Sequence, residues 1–386
     1  MLDTGIDRRH PALTVTHSVE TCGESVDVPG GHGTHCAGII ASTDPTAPGI
    51  APGVDLIDVK VLRANGTGRH TAITAGVDRA LDLSADILSI SLGFNHLPVT
   101  VAGGHGWTCV DGGCPLCTAV DNAVLEGALV VVAAGNEHQR CERARAAGDG
   151  LAYDTELTCP GQARGALTVG AVHQATHAPA VFSSKGPTAY DVAKPDLVAP
   201  GVDVRSTIPL RRDATGRAVP GPPPLLFGVR SGTSTAAPAV AAACALLVES
   251  ARRTGAPDDP GSIRRRLLDT CVERIGGPAN VVGAGRLRLS WPGTSLRRAQ
   301  VRSRSNRLSA SCARRCAISA RRTSRRATST ARRASVNSCS RSCTRSTLDC
   351  SSSVAKIMFS SASSTARRAS ASATSRAAAD SFSACT

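Results

Sequence analysis

Four short stretches of this sequence hold residues that could act together on a carbonyl group. Ser234 stands in SGTSTAAP (231–238), at the mouth of a long apolar run. A serine at a helix N-terminus suits nucleophilic attack, because the unbonded N–H groups and the dipole there steady a developing negative charge. His32, in GGHGTHCAG (30–38), is a general base flanked by glycines that admit the close approach of another segment. Asp3, in LDTGID (2–7), is an acid at a strand exit, able to orient an imidazole. Asn136, in AAGNE (133–137), closes an apolar strand and offers an amide donor to an oxyanion. Taken singly, each also fits a plainer role. Gly232 and Thr233 could cap a core helix with Pro238 in its first turn, and Asp and Asn are common turn formers. Taken together they supply nucleophile, base, orienting acid and oxyanion donor. Their chain order, Asp then His then Ser, is one of three in which such triads occur.

These residues need elements to hold them, and the pattern of the first 290 residues provides these. VDLIDVKVL (54–62), ADILSISLG (85–93), LVVVAAGN (129–136) and ALTVGAV (166–172) read as strands. TAITAGVDRALDL (71–83) and CTAVDNAVLEGA (117–128) read as amphipathic helices. Apolar strands joined by helical crossovers predict an α/β fold with a parallel sheet covered on both faces. In such sheets ligands gather at the carboxyl ends of strands, where SLG and AAGN stand. Residues 94–116, 137–161 and 206–229, rich in Gly, Pro and polar side chains, read as loops.

The motifs resemble those of the subtilisin-like serine proteases, the subtilases. The match runs through LDTGID, GGHGTHCAG, APGVDLIDVKVL, SISLG, VVVAAGN, FSSKGP, KPDLVAPG, SGTSTAAP and GAGRLRL, about residues 1–290. It implies a three-layer α/β/α subtilisin-like fold with a mainly parallel central sheet. It also implies a serine endopeptidase with Ser234 as nucleophile, His32 as base, Asp3 as orienting acid and Asn136 in the oxyanion hole. His35 is then structural. Thr235 stands where the family very often has Met. The resemblance makes Ser91, Leu92 and Gly93 one edge for an extended peptide, with residues 63–68 as the other. Ala133, Ala134 and Gly135 join Gly93 as first-pocket walls, which predicts a roomy pocket, with Glu137 at its rim. Protein or peptide substrates are implied, for a monomer with no membrane or nucleic-acid partner.

Nine of the 15 cysteines lie in the first 294 residues. For CVDGGCPLC (109–117), Cys141 and Cys159, three readings stand: disulfides, a zinc site built on Cys114 and Cys117 with two further thiols, or unlinked thiols. The family's usual export favours disulfides, joining Cys141 to Cys159 or to a cysteine of the 109–117 loop. Cys36, Cys244 and Cys271 sit in apolar helical patterns and read as inert core. Many subtilases bind calcium in a loop after the His helix. Here that loop (42–52) is short and has Asp44 as its one carboxylate, so calcium is not expected at the usual loop; weaker calcium sites elsewhere stay open, and no other cofactor is expected.

The net charge of +14 is unevenly spread. Residues 295–386 carry 19 Lys and Arg against two Asp and Glu, so the rest of the chain has a net charge of −3. The high overall pI is therefore no argument that the body binds polyanions. The same 92 residues contain 25 Ser, no Gly and no Pro, a composition that cannot bury a core. They read as a disordered basic arm or, better, as codons translated out of frame. The expected organisation is therefore a peptidase domain over 1–291 and a Ser/Arg-rich tail over 295–386. No 18-residue uncharged apolar span is apparent, and no signal peptide precedes Asp3. Only Met1 and Leu2 stand where the family has a buried strand. The reading is a start assigned too late in a secreted protease, leaving a chain that is poorly folded or catalytically silent.

Overall fold

The computed structural model describes residues 1–94, 109, 112–147, 155–213, 218–219, 223–289 and 382–383. These belong to one unit, residues 1–303 with 380–386; residues 304–379 form a second unit outside the described residues. The expectations for the tail lie largely outside them too.

Along the chain the elements are β1 (Leu2–Asp3), β2 (Val15–Glu20), α1 (Gly31–Ala41), β3 (Leu56–Lys60), β4 (Thr67–Gly68), α2 (His70–Asp82) and β5 (Ile87–Ile90). There follow α3 (Pro115–Leu125), β6 (Leu129–Ala133), α4 (His138–Ala146), β7 (Leu167–Val172), β8 (Leu197–Pro200) and β9 (Val204–Thr207). The short strands β10 (Arg211–Arg212) and β11 (Ala218–Val219) precede β12 (Phe227–Arg230), and α5 (Thr233–Thr254) and α6 (Pro260–Thr270) come next. Last come β13 (Val272–Glu273), α7 (Ala279–Val282), β14 (Arg286–Leu287) and β15 (Phe382–Ser383).

Nine strands form the central sheet in the order β13-β14-β8-β7-β6-β5-β1-β3-β2, parallel except for the β13–β14 pair. Alternation along β6 divides the core. Val131 and Ala133 pack with Val240, Leu247 and Ala251 of α5, while Val130 and Val132 pack with Ile73 and Val77 of α2 and Leu116 and Val120 of α3. Helices thus cover both faces, and the architecture is the three-layer α/β/α arrangement expected from the sequence. Short as it is, β1 lies mid-sheet, with Leu2 paired to Val59 and Ile90 and fully buried.

Three expectations change. Residues 138–146 form α4, which the polar composition concealed; the pair Glu142–Arg145 supports it at helical spacing. α5 is longer than its 13-residue apolar run, reaching a length and apolarity that could cross a membrane, but 83% of that window is buried in the core. The tail contributes one described piece, β15, which pairs antiparallel with β4.

Candidate active site

Asp3 ends β1 and His32 sits in the first turn of α1; Thr4 fastens the two. Its carbonyl accepts the Gly30 N–H at 3.0 Å, and its hydroxyl accepts the Gly33 N–H at 2.9 Å. From the other side the fully buried Lys60 donates to the Thr4 carbonyl at 2.6 Å and pairs with Glu24 at 2.9 Å. Gly33 lets the helix come this close. A Cβ there would lie 2.5 Å from the Gly5 carbonyl oxygen and 3.2 Å from Asp3 Cβ. Gly33→Ala should therefore push α1 off β1 and cost about 1–3 kcal/mol of stability, read as a lowered Tm with reduced activity.

The result is a buried pair. His32 Nδ1 meets Asp3 Oδ1 at 2.8 Å and Oδ2 at 3.0 Å, while the Thr4 N–H donates to Oδ1 at 2.7 Å. Burial disfavours the imidazolium, but the Asp3 charge outweighs it, and the His32 pKa rises well above the ordinary 6.5. His32 Nε2 is buried and makes no hydrogen bond among the described residues, leaving it available to take a proton.

Ser234 is the second residue of α5, in a first turn where the Thr235 N–H donates to the Gly232 carbonyl at 3.1 Å and the Thr233 N–H to Asn136. Pro238 falls one turn deeper than expected, inside the helix. Proline has no N–H, so the Ser234 carbonyl loses its intrahelical donor. The Cys36 thiol of α1 supplies one at 3.2 Å, and its sulfur also lies 4.0 Å from His32 Nδ1. Cys36 is thus not inert core: it joins the serine helix to the histidine helix. Thr235 is accommodated too, its hydroxyl donating to the Gly232 carbonyl at 2.8 Å.

Asn136 follows β6, and its side-chain oxygen accepts the Thr233 N–H at 2.9 Å and the Thr233 hydroxyl at 3.1 Å. Those two donors fix the amide with Nδ2 turned the other way. A point built as a Cβ on Gly232 lies 3.1 Å from Ser234 Oγ and 3.4 Å from Asn136 Nδ2, so both groups converge on one small volume. No hydrogen bond joins Ser234 Oγ to His32 among the described residues; such contacts commonly tighten only on the substrate complex.

Ser91 and Leu92 are buried and lead to Gly93 at the exit of β5, beside Ala133, Ala134 and Gly135 at the exit of β6. The expected room at the glycines is filled. A Cβ on Gly93 would lie 2.2 Å from Thr158 Oγ1, and one on Gly135 2.7 Å from Thr158 Cγ2. Thr158, unremarked in the sequence, stands between the two walls and donates its N–H to the Ala134 carbonyl at 3.0 Å. Gly135 also needs its freedom, having a φ of +112°. Glu137 is buried and paired with Arg140 at 3.2 Å, so it presents no open charge at a rim. His35 is structural as expected, its Nε2 facing the Val204 carbonyl at 3.0 Å, with burial lowering its pKa to about 4. Asp44 Oδ1 accepts the Thr46 N–H at 2.8 Å and the Thr46 hydroxyl at 2.6 Å, closing a turn in this loop.

The expected disulfides are not there: none of the nine described cysteines is bridged. Cys141 lies on α4, whereas Cys159 Sγ stands 3.5 Å from Cys117 Sγ, a contact and not a bond.

An α/β sheet with an Asp–His pair, a serine at a helix N-terminus and an amide donor beside it defines the class of serine hydrolases. More narrowly, residues 1–285 match the family described as Subtilase family, and the chain belongs to it. It is 35% identical over 261 residues to an intracellular serine protease of Paenibacillus polymyxa, covering 65% of this chain and 66% of that one. It is 33% identical over 276 residues to subtilisin DY of Bacillus licheniformis, covering 70% and 82%. Among solved structures, a mutant of the protease domain of PatA superposes with a TM-score of 0.52 at 27% identity, covering 74% of this chain and 90% of that one.

Proposed function

We propose that this chain is a serine endopeptidase that hydrolyses peptide bonds of protein substrates. The observation that carries the reading is the buried Asp3 carboxylate on His32 Nδ1, which fixes the tautomer with Nε2 as proton acceptor. Ser234 Oγ attacks the substrate carbonyl carbon while its proton passes to His32 Nε2. The oxyanion is received by Asn136 Nδ2 and the Ser234 N–H. As the C–N bond breaks, His32 returns the proton to the leaving amine. Water then attacks the acyl-enzyme with the same base assisting, and the Ser234 hydroxyl is restored. An extended substrate adds along Ser91–Gly93 and residues 63–68; the pairing of β15 on β4 supports the second edge as one that accepts an antiparallel strand. The same reading makes it a monomer without nucleic-acid or membrane partners.

The test separates the roles. Asn136→Ala should retain labelling of Ser234 by a fluorophosphonate but slow turnover of a chromogenic peptide by about 10²–10³-fold. Loss of labelling in step with turnover would refute a distinct oxyanion role. Failure of the unaltered chain to label would instead support a catalytically silent subtilase fold.

A further inference from the structure

Four cysteines from two separate segments meet at the start of α3. Cys109 and Cys114 precede α3, Cys117 lies in its first turn, and Cys159 comes from the stretch before β7. All four are buried, and their sulfurs lie within 4.8 Å of one another. Cys117 Sγ is 3.5 Å from Cys109 Sγ and 3.5 Å from Cys159 Sγ, so its spacing favours neither as a disulfide partner. A tetrahedral zinc with bonds of about 2.3 Å would hold its sulfurs about 3.8 Å apart, the scale found here. Two N–H groups are also aimed at the cluster. The Cys117 N–H donates to Cys114 Sγ at 3.5 Å, and Gln162 Nε2 donates to Cys159 Sγ at 3.6 Å. Such donors stabilise sulfur that carries negative charge, as in a thiolate ligand set.

We infer that Cys109, Cys114, Cys117 and Cys159 form a structural zinc site. The four thiols give up their protons and close the coordination sphere, leaving no open position for catalysis. The consequence is positional. The backbone of Cys159 pairs both ways with Phe94 at 3.1 Å, and Thr158 beside it stands between the Gly93 and Gly135 walls. Zinc would thus fasten α3 to the segment that shapes the groove.

The full 386-residue chain, purified under reducing conditions from zinc-supplemented medium, is expected to carry about one zinc per chain by elemental mass spectrometry. Cobalt in its place should give the intense visible bands of a tetrahedral tetrathiolate. Cys117→Ser should lose the metal. Should that variant fail to fold, Gln162→Leu keeps all four ligands and should weaken zinc binding by about tenfold to a hundredfold. Cys244→Ser, buried away from the cluster, should keep full zinc content. Peptide mapping that finds disulfides among these four cysteines would overturn the site, as would a folded chain carrying no zinc. Unchanged zinc affinity in Gln162→Leu would overturn the thiolate argument.

Discussion

Ser234→Ala should lower kcat for peptide hydrolysis about 10⁶-fold, the scale on which subtilisin responds to losing its serine or histidine. Fluorophosphonate labelling should vanish with it. The loss should be chemical and not structural. The change removes one oxygen from a small side chain, and the bond tying this residue to α1 runs from Cys36 to the Ser234 carbonyl, which alanine keeps. The Tm should therefore stay close to that of the parent. Residual hydrolysis above the uncatalysed rate is still expected, because the oxyanion donors and the groove remain in place. Labelling that survives the substitution would remove Ser234 from its role, and a large drop in Tm would show that the hydroxyl is structural.

The residues proposed to do chemistry are legible because they sit in short motifs with glycine or alanine neighbours. Those that hold them in place are not, because their partners are distant in sequence. Nothing in LDTGID marks Thr4 as the clasp between β1 and α1; that depends on Gly30 and Gly33 arriving from the next helix. Lys60 reads as the polar end of a strand, yet it is fully buried under the Thr4 carbonyl. Cys36 reads as filler until Pro238 strips the Ser234 carbonyl of its donor. The parallel sheet was readable from its apolar strands, whereas α4 was hidden, since charge pairs and not an apolar stripe support it. The spacing of Cys114 and Cys117 showed half of the thiol cluster. Its other half depends on where Cys159 crosses, so the sequence favours a disulfide from Cys159 to Cys141 instead.

Asp3→Asn should lower kcat about 10⁴-fold and, more tellingly, move the acid limb of the pH profile. The Thr4 N–H already donates to Oδ1, so the asparagine would keep its carbonyl there and turn its NH₂ towards His32 Nδ1. That stabilises the tautomer with the proton on Nε2, the wrong one for accepting a proton from Ser234. The pH argument has a definite sign. The active imidazole is neutral, so kcat/KM falls as pH drops through the His32 pKa. In the parent, Asp3 raises that pKa well above 6.5 against the effect of burial. Without the carboxylate, burial prevails, and the residual activity should persist to lower pH than in the parent. Stability should respond in the opposite sense. A histidine with a raised folded pKa stabilises the fold fully below its unfolded value near 6.5 and loses that contribution as pH rises through the folded pKa. The stability lost on Asp3→Asn should therefore be largest at acid pH and shrink towards alkaline pH, measured by denaturant titration. His35 cannot imitate this behaviour, because burial keeps it neutral down to about pH 4. An acid limb unmoved by Asp3→Asn would mean that a group other than the Asp3–His32 pair controls the reaction.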